Sequence, residues 1–462
     1  MARVSMKEKI GYSLGDVAAN FIFQAMICLQ FSFYVDTYGL SPNQAANLFF
    51  VVGIAAAFFN PVMGMIADRT RSRWGRFRPW LLWTALPFGI VGSLTFFTPN
   101  FSDYGKVIYA WATYLLLRAV YTMNNVPYAS ITTVMTSDPD ERTSISSVRE
   151  IAATCASFVV SSLALPLVRL FGGGSDARGY QITMGILSCL GGALSVAAFL
   201  STRERIQPTD SQQTSVASDI ADLFRNRAWC AMFVATFFYF IAISLRGSVM
   251  LTYFRYYILD ENLFSVYNGV GLGSLIVGIA LSTKISIKLG KRRLYTASMI
   301  AVGGLSAALY LVPSGSPQSL IAIEFIRQIC CGLSVPLLWS IMGDVADYGE
   351  WKTGRRAGGA VTSGIVFALW VGLAVGGATA GWVLGYFGFV ANTANNGSAI
   401  EGIKLTGGIF PALAFFSAAA ALSFYPIGKS LAKQITEELY ERRREWKEVP
   451  VNAGDGLVLN DY

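Results

Sequence analysis

Apolar positions along this chain neither alternate at the period of a strand nor recur every three or four residues; they run on. Mainly apolar stretches of about 20 or more residues, long enough for a helix to cross a hydrocarbon core about 30 Å thick, recur from one end to the other. Twelve are predicted as helices: 10–36, 43–67, 79–98, 105–134, 146–171, 179–201, 228–258, 263–287, 294–313, 318–343, 357–388 and 402–427. Helices satisfy their own backbone hydrogen bonds in lipid, so the pattern predicts an all-α membrane protein with twelve transmembrane helices. The first stretch follows a short charged head, MARVSMKEK, with no small-residue cleavage site, and reads as a retained helix rather than a signal peptide.

The longest polar stretch, TRERIQPTDSQQTSVASDIADLFRNRA, separates the sixth helix from the seventh. The expected organisation is an N-terminal six-helix bundle over 1–201, a central loop over 202–227, a second six-helix bundle over 228–427 and a tail over 428–462. After the second helix comes Gly75-Arg76-Phe77-Arg78, and after the eighth comes Gly290-Lys291-Arg292-Arg293, so one glycine-plus-basic turn recurs a half later. Two pseudo-symmetric halves of this kind are the footprint of a transporter whose substrate sits between them near the membrane midplane. Residues 429–449 are amphipathic with interspersed charges and are expected to dock on the membrane surface.

Composition agrees. Hydrophobic residues make up 53% and charged residues 14%, against about 25% charged in a soluble domain. All six cysteines fall inside apolar stretches, which leaves no disulfide framework or thiolate metal site to expect. A net charge of +8 suggests nucleic acid until the basic residues are placed: most of the 36 Lys and Arg lie in the termini and the even-numbered turns. That asymmetry predicts both termini and the arginine cluster at residues 69–78 in the cytoplasm. Without a histidine, a P-loop or a soluble domain carrying paired carboxylates, no enzyme, metal, cofactor or nucleic-acid partner is expected. The expected partners are the lipid bilayer and a small polar solute, and the self-contained plan predicts a monomer.

Charged side chains inside hydrocarbon usually face the bundle interior and mark a pathway. Here they are Arg118, Arg149, Arg246 and Arg327 with Asp16, Glu150 and Glu324; Glu324 and Arg327, three residues apart, can lock to each other. Asp16, Asn20 and Gln24 share one face of the first helix. In the fourth, Arg118, Tyr121, Thr122, Asn125 and Tyr128 share a side, with Pro127 beside them, and Arg149 opens the fifth. Amides, hydroxyls, rings and guanidinium groups suit a sugar, and equally an amino acid or nucleoside. Arg149 and Arg246 are candidate donors to a carboxylate or sulfonate. The tenth helix ends in Asp344, Asp347 and Glu350 beside Lys352, Arg355 and Arg356; facing Arg76 and Arg78, these acids suggest ion pairs that close an inner gate.

Four segments, EKIGYSLGDVAANF, DRTRSRWGRFRPW, NNVPYAS and GDVADYGEW, together resemble the signatures of the glycoside-pentoside-hexuronide:cation symporters, the melibiose-carrier family within the major facilitator fold. The resemblance runs from about residue 7 to 427. It implies uptake of a sugar or glycoside coupled to Na⁺, Li⁺ or H⁺, in a bacterial cytoplasmic membrane. The family's sugar-binding acids on helices 1 and 4 are matched by Asn20 and Asn125, its helix-5 arginine by Arg149 and its helix-10 tryptophan by Trp339, while Ala129 replaces a second tryptophan. The two cation-binding aspartates of helix 2 are replaced by Ala56 and Asn60, and the helix-11 lysine by Trp370.

Sodium therefore lacks its carboxylates, and a proton becomes the expected coupling ion, carried by Asp16 in the first instance or by Glu150 or another buried acid; were sodium to couple instead, Asp16 and Asn60 would be where to look for its site. The substrate-site expectation is Asn20, Gln24, Tyr121, Asn125, Arg149, Arg246, Trp339 and Trp370. Amides in place of acids leave room for an acidic, hexuronide-like sugar as well as a neutral one. The competing readings are an uncoupled facilitator, a lysolipid-type transporter on the same fold, and a sugar sensor.

Overall fold

The computed structural model describes residues 4–136, 139–205, 223–353, 358–393 and 397–448; most of the central loop, Arg355, Arg356 and the last residues of the tail lie outside them. The helices are α1 (Met6–Cys28), α2 (Pro42–Arg69), α3 (Arg78–Thr95), α4 (Asp103–Met135), α5 (Pro139–Gly172) and α6 (Asp176–Ser201). They continue with α7 (Arg227–Ile258), α8 (Glu261–Leu289), α9 (Lys291–Tyr310), α10 (Pro317–Thr353), α11 (Gly358–Tyr386), α12 (Gly397–Ser423) and α13 (Lys429–Glu448). Each predicted stretch falls on one of the first twelve. Eight are long and apolar enough to cross a membrane by length and composition, and a ninth forms if α1 is joined to Gln30–Thr37 across a 57° bend. Helices α3, α4 and α9 are shorter or more polar: Arg118, Thr122, Asn124 and Asn125 interrupt α4.

Outward positions carry large apolar side chains such as Leu86, Leu115, Ile151 and Leu200, as a lipid-facing surface requires. Between helices the contacts are made by small residues, because lipid offers no hydrophobic drive and close approach must supply the packing. Gly278 of α8 and Gly332 of α10 each lie against the other helix so closely that a Cβ would overlap a backbone carbonyl.

The repeated turn is also repeated in conformation. Gly75 (φ 111°) and Gly290 (φ 85°) both occupy the left-handed region that side chains disfavour, and each leads into the next helix. Glu204 accepts from the backbone N–H groups of Arg76, Phe77 and Arg78 at 2.8–2.9 Å and so caps α3. At the same end, Arg205 forks onto Glu8 at 2.6 and 2.8 Å, and that bond holds the guanidinium above its usual pKa. This is called the arginine-rich end below, its opposite the far end.

Helix α13 corrects one expectation. Its apolar positions Ile435 and Leu439 are buried against the second bundle, and Trp351 Nε1 donates to Glu438 at 2.6 Å. Protein rather than lipid covers that apolar face.

The bundles meet along α2 and α11. Gly53 faces Ala374, Trp382 donates to Asn47 at 3.0 Å, and Gly381 and Gly385 lie against Pro42 and Asn43. Helices α5 and α8 meet near Ser162 and Gly269, and through Arg169 with Glu261 and Asn262. These contacts occupy the far end and the middle of the seam.

Candidate functional site

Helices α1 and α5 run parallel and are joined by polar rungs. Lys9 contacts Glu141 (2.9 Å) and Ser144 (2.8 Å), Asp16 lies 3.4 Å from Arg149 Nε, Asn20 accepts from Ser157 at 3.3 Å, and Gln24 donates to Ser161 at 2.7 Å. The predicted face of α1 is real: Asp16, Asn20, Phe23 and Gln24 are half-buried while Ala18, Ala19, Phe21 and Ile22 are buried. Spacing of three and four residues puts the former toward the seam. Asn20 also donates to the backbone (2.9 Å) and side chain (3.3 Å) of Asp16, and Arg149 donates to Glu150 at 2.8 Å.

From α4 the neighbouring residues divide. Asn124 turns into its own bundle, donating to Thr84 at 2.8 Å, whereas the half-buried Asn125 makes no side-chain hydrogen bond among the described residues. Tyr128, grouped with the polar face in the sequence, stacks on Tyr12 at 4.6 Å and serves packing. Tyr121 and Trp370 are both buried and sit edge to face at 5.9 Å, with Phe23 6.1 Å from Trp370. Three aromatic rings from α1, α4 and α11 thus bridge the bundles. Trp339 of α10 is half-exposed at 48%.

Other predicted residues are placed elsewhere. Arg246 is buried in the second bundle with Glu324 (2.6 Å) and Tyr267, and Arg327 grips the same carboxylate at 2.8 and 2.9 Å. Its charge is shared with an acid the spacing did not connect to it. The expected lock between Glu324 and Arg327 is present. In α2, Ala56 is buried and the Asn60 amide nitrogen is a buried donor with no acceptor among the described residues.

At the arginine-rich end, Asp344 is held by Lys291 of its own bundle at 2.8 Å, and the Arg78 guanidinium donates to the Phe199 carbonyl at 2.7 Å. Asp347 and Glu350 are half-buried and hold partners too, while Arg76 is tied through its backbone. At the far end, pairs form across the bundles. Asp36 meets Arg255 at 3.0 Å and accepts from Tyr256 at 2.8 Å; Asn392 donates to the Asp36 carbonyl at 2.6 Å. Arg255 also holds Glu261, which Arg169 shares.

Sequence reasoning missed this cluster because its members lie in five separate segments. The available signal was that the first and seventh predicted stretches, equivalent in the two halves, carry an acid, Asp36, and a base, Arg255, near their ends. Both ends also widen into a π-turn, Phe33–Thr37 and Phe254–Ile258.

Comparison with known proteins adds the family. Residues 11–429 match the family described as MFS/sugar transport protein. Among relatives, the inner membrane symporter YicJ of Escherichia coli is 35% identical over 96% of both chains. The isoprimeverose transporter of Lactiplantibacillus pentosus is 32% identical over 94% of this chain and 91% of its own. A glucuronide carrier protein homolog of Escherichia coli is 28% identical over 96% and 97%. The nucleoside transporter NupG shares the fold, with a TM-score of 0.65 at 13% identity, over 91% of this chain and all of its own. With one family matched along nearly its whole length and relatives that cover it from end to end, the chain belongs to the MFS/sugar transport proteins and is a membrane transporter, not an enzyme.

Proposed function

We propose that this protein imports a sugar or glycoside across the bacterial cytoplasmic membrane by alternating access, driven by a proton. The observation that carries the reading is the seam itself, where Asn20, Gln24 and Asn125 present amides beside the ring group of Phe23, Tyr121 and Trp370. Amides match sugar hydroxyls as donor and acceptor, and aromatic faces match the apolar C–H side of a pyranose. Relatives named for isoprimeverose and glucuronide transport support the same class.

The excess of basic residues in its turns supports a cytoplasmic position for the arginine-rich end. In the described conformation Asp36, Arg255 and Glu261 tie the far end together, as expected of a state that releases substrate on the inward side. Rocking of the bundles would reverse this, bringing Arg76 and Arg78 toward Asp344, Asp347 and Glu350.

Coupling rests on Asp16. Its carboxylate holds Arg149 at the seam; a proton on Asp16 removes the attraction and frees the guanidinium for a substrate hydroxyl. Glu150 offers Arg149 a second, exposed partner. A sodium ion finds little in α2, where Asn60 presents an unmet donor and Ala56 a methyl. Among the described residues, no three acids, cysteines or histidines gather to hold a metal.

Uptake by proteoliposomes under separately imposed proton and sodium gradients tests this. Accumulation of a glycoside with the proton gradient, indifferent to sodium, is expected. Sodium-driven accumulation overturns the coupling, and a failure of every glycoside to enter above empty liposomes overturns the substrate class.

A further inference from the structure

Every other arginine buried in the membrane-spanning region has an acid within reach: Arg149 has Asp16, Arg246 and Arg327 have Glu324, and Arg255 has Asp36. Arg118 of α4 has none. It is 7% exposed, its Nε is buried without an acceptor, and among the described residues it makes neither an ion pair nor a hydrogen bond. Its guanidinium lies over the Trp370 ring of α11, with Cζ 4.6 Å from the centroid. A guanidinium buried in this way without a counter-charge is unfavourable, and a ring face offsets only part of the deficit.

We propose that Arg118 is the receptor for an anionic group, carboxylate or sulfonate, on the transported sugar. This rests on the sugar-transport reading above and names the charge of its substrate. Three features support it. The Trp370 ring lies over the guanidinium carbon, and among the described residues the N–H donors have no acceptor, so they are available to a carboxylate that takes two parallel bonds. Arg118 lines a small cavity, about 40 Å³, between the bundles, with Ser244 and Ser248 of α7 opposite it and Gly53 and Ala374 keeping the backbones close. The residue also lies two helical turns, roughly 10 Å, from Asn125 on the same helix, so one glycoside can reach both.

The two arginines that the sequence offered for this task are engaged, Arg149 with Asp16 and Arg246 with Glu324. Arg118 is the uncommitted cation. Bound from α4 and resting on α11, an anion at this point would touch both bundles, which gives the charged substrate a direct grip on the element that must move.

The test uses the purified full-length chain and two matched probes in both anomers, 4-nitrophenyl glucuronide and 4-nitrophenyl glucoside, which differ in a carboxylate against a hydroxymethyl at C6. Binding is followed by titration calorimetry. The wild type should bind the glucuronide at least tenfold tighter than the glucoside. Arg118→Gln should weaken the glucuronide by about 100-fold and the glucoside by less than about threefold, with Arg118→Lys between them. Equal weakening of both probes overturns the assignment. A wild type that binds the glucoside as well as or better than the glucuronide, or that binds neither, overturns it; sugar transport itself stands or falls on the uptake experiment above. If Arg118→Gln fails to fold, Arg118→Lys carries the same comparison, and a wild type without discrimination overturns the assignment on its own.

Discussion

Arg149 Nε lies 3.4 Å from a carboxylate oxygen of Asp16, a single contact that ties α5 to α1 beside the seam. The side chains keep 28% and 15% of their surface exposed, so the pair is reachable by water and by a solute. An ion pair in that position is a switch element, because adding one proton to the acid changes what the arginine holds.

Asp16→Asn should therefore abolish accumulation driven by a proton gradient while leaving exchange of substrate across the membrane within about threefold of the wild type, since the amide still bonds but no longer titrates. Uphill accumulation that persists in this variant at its normal pH dependence would place the coupling site elsewhere.

Asp36 and Arg255 hold the far end closed from opposite bundles. Asp36→Asn removes the charge while keeping the shape, and the population should shift toward conformations open at that end. With the native cysteines replaced and Thr252→Cys introduced beside Ser32, 3.4 Å away across the seam, labelling by an impermeant maleimide should rise about fivefold. Unchanged labelling would mean that apolar packing alone shuts this end.

Glu324 is the single carboxylate shared by Arg246 and Arg327. Glu324→Gln leaves two buried guanidinium groups without a counter-charge and should cost about 3 kcal/mol of stability. Thermal unfolding in detergent measures this; a melting temperature equal to the wild type's would rule out a structural lock.

How much of this was legible beforehand depends on distance along the chain. Asp16, Asn20 and Gln24 were found because helical spacing alone puts them on one face, and the structure places them there. The two glycine turns were found by local composition, and positive φ at Gly75 and Gly290 bears them out. Arg246 and Arg118 were indistinguishable as isolated arginines in apolar helices. Glu324 lies on α10, 78 residues beyond Arg246, and that one contact makes Arg246 a partner in a buried network. Arg118 meets no such acid. Likewise, Asp36 and Arg255 have nothing in their own segments to announce a pairing across the bundles.

The sequence by itself determined the solvent of each segment, the helical class, the twofold plan and the inventory of polar groups in the membrane. These are local consequences of the hydrocarbon thickness and of a backbone that must bond to itself in lipid. The tertiary structure decided which charges cancel, which end of the seam is shut and which cation is left over. Those outcomes depend on contacts a few ångströms long between helices far apart in the chain, where a paired and an unpaired arginine differ in energy but not in sequence pattern.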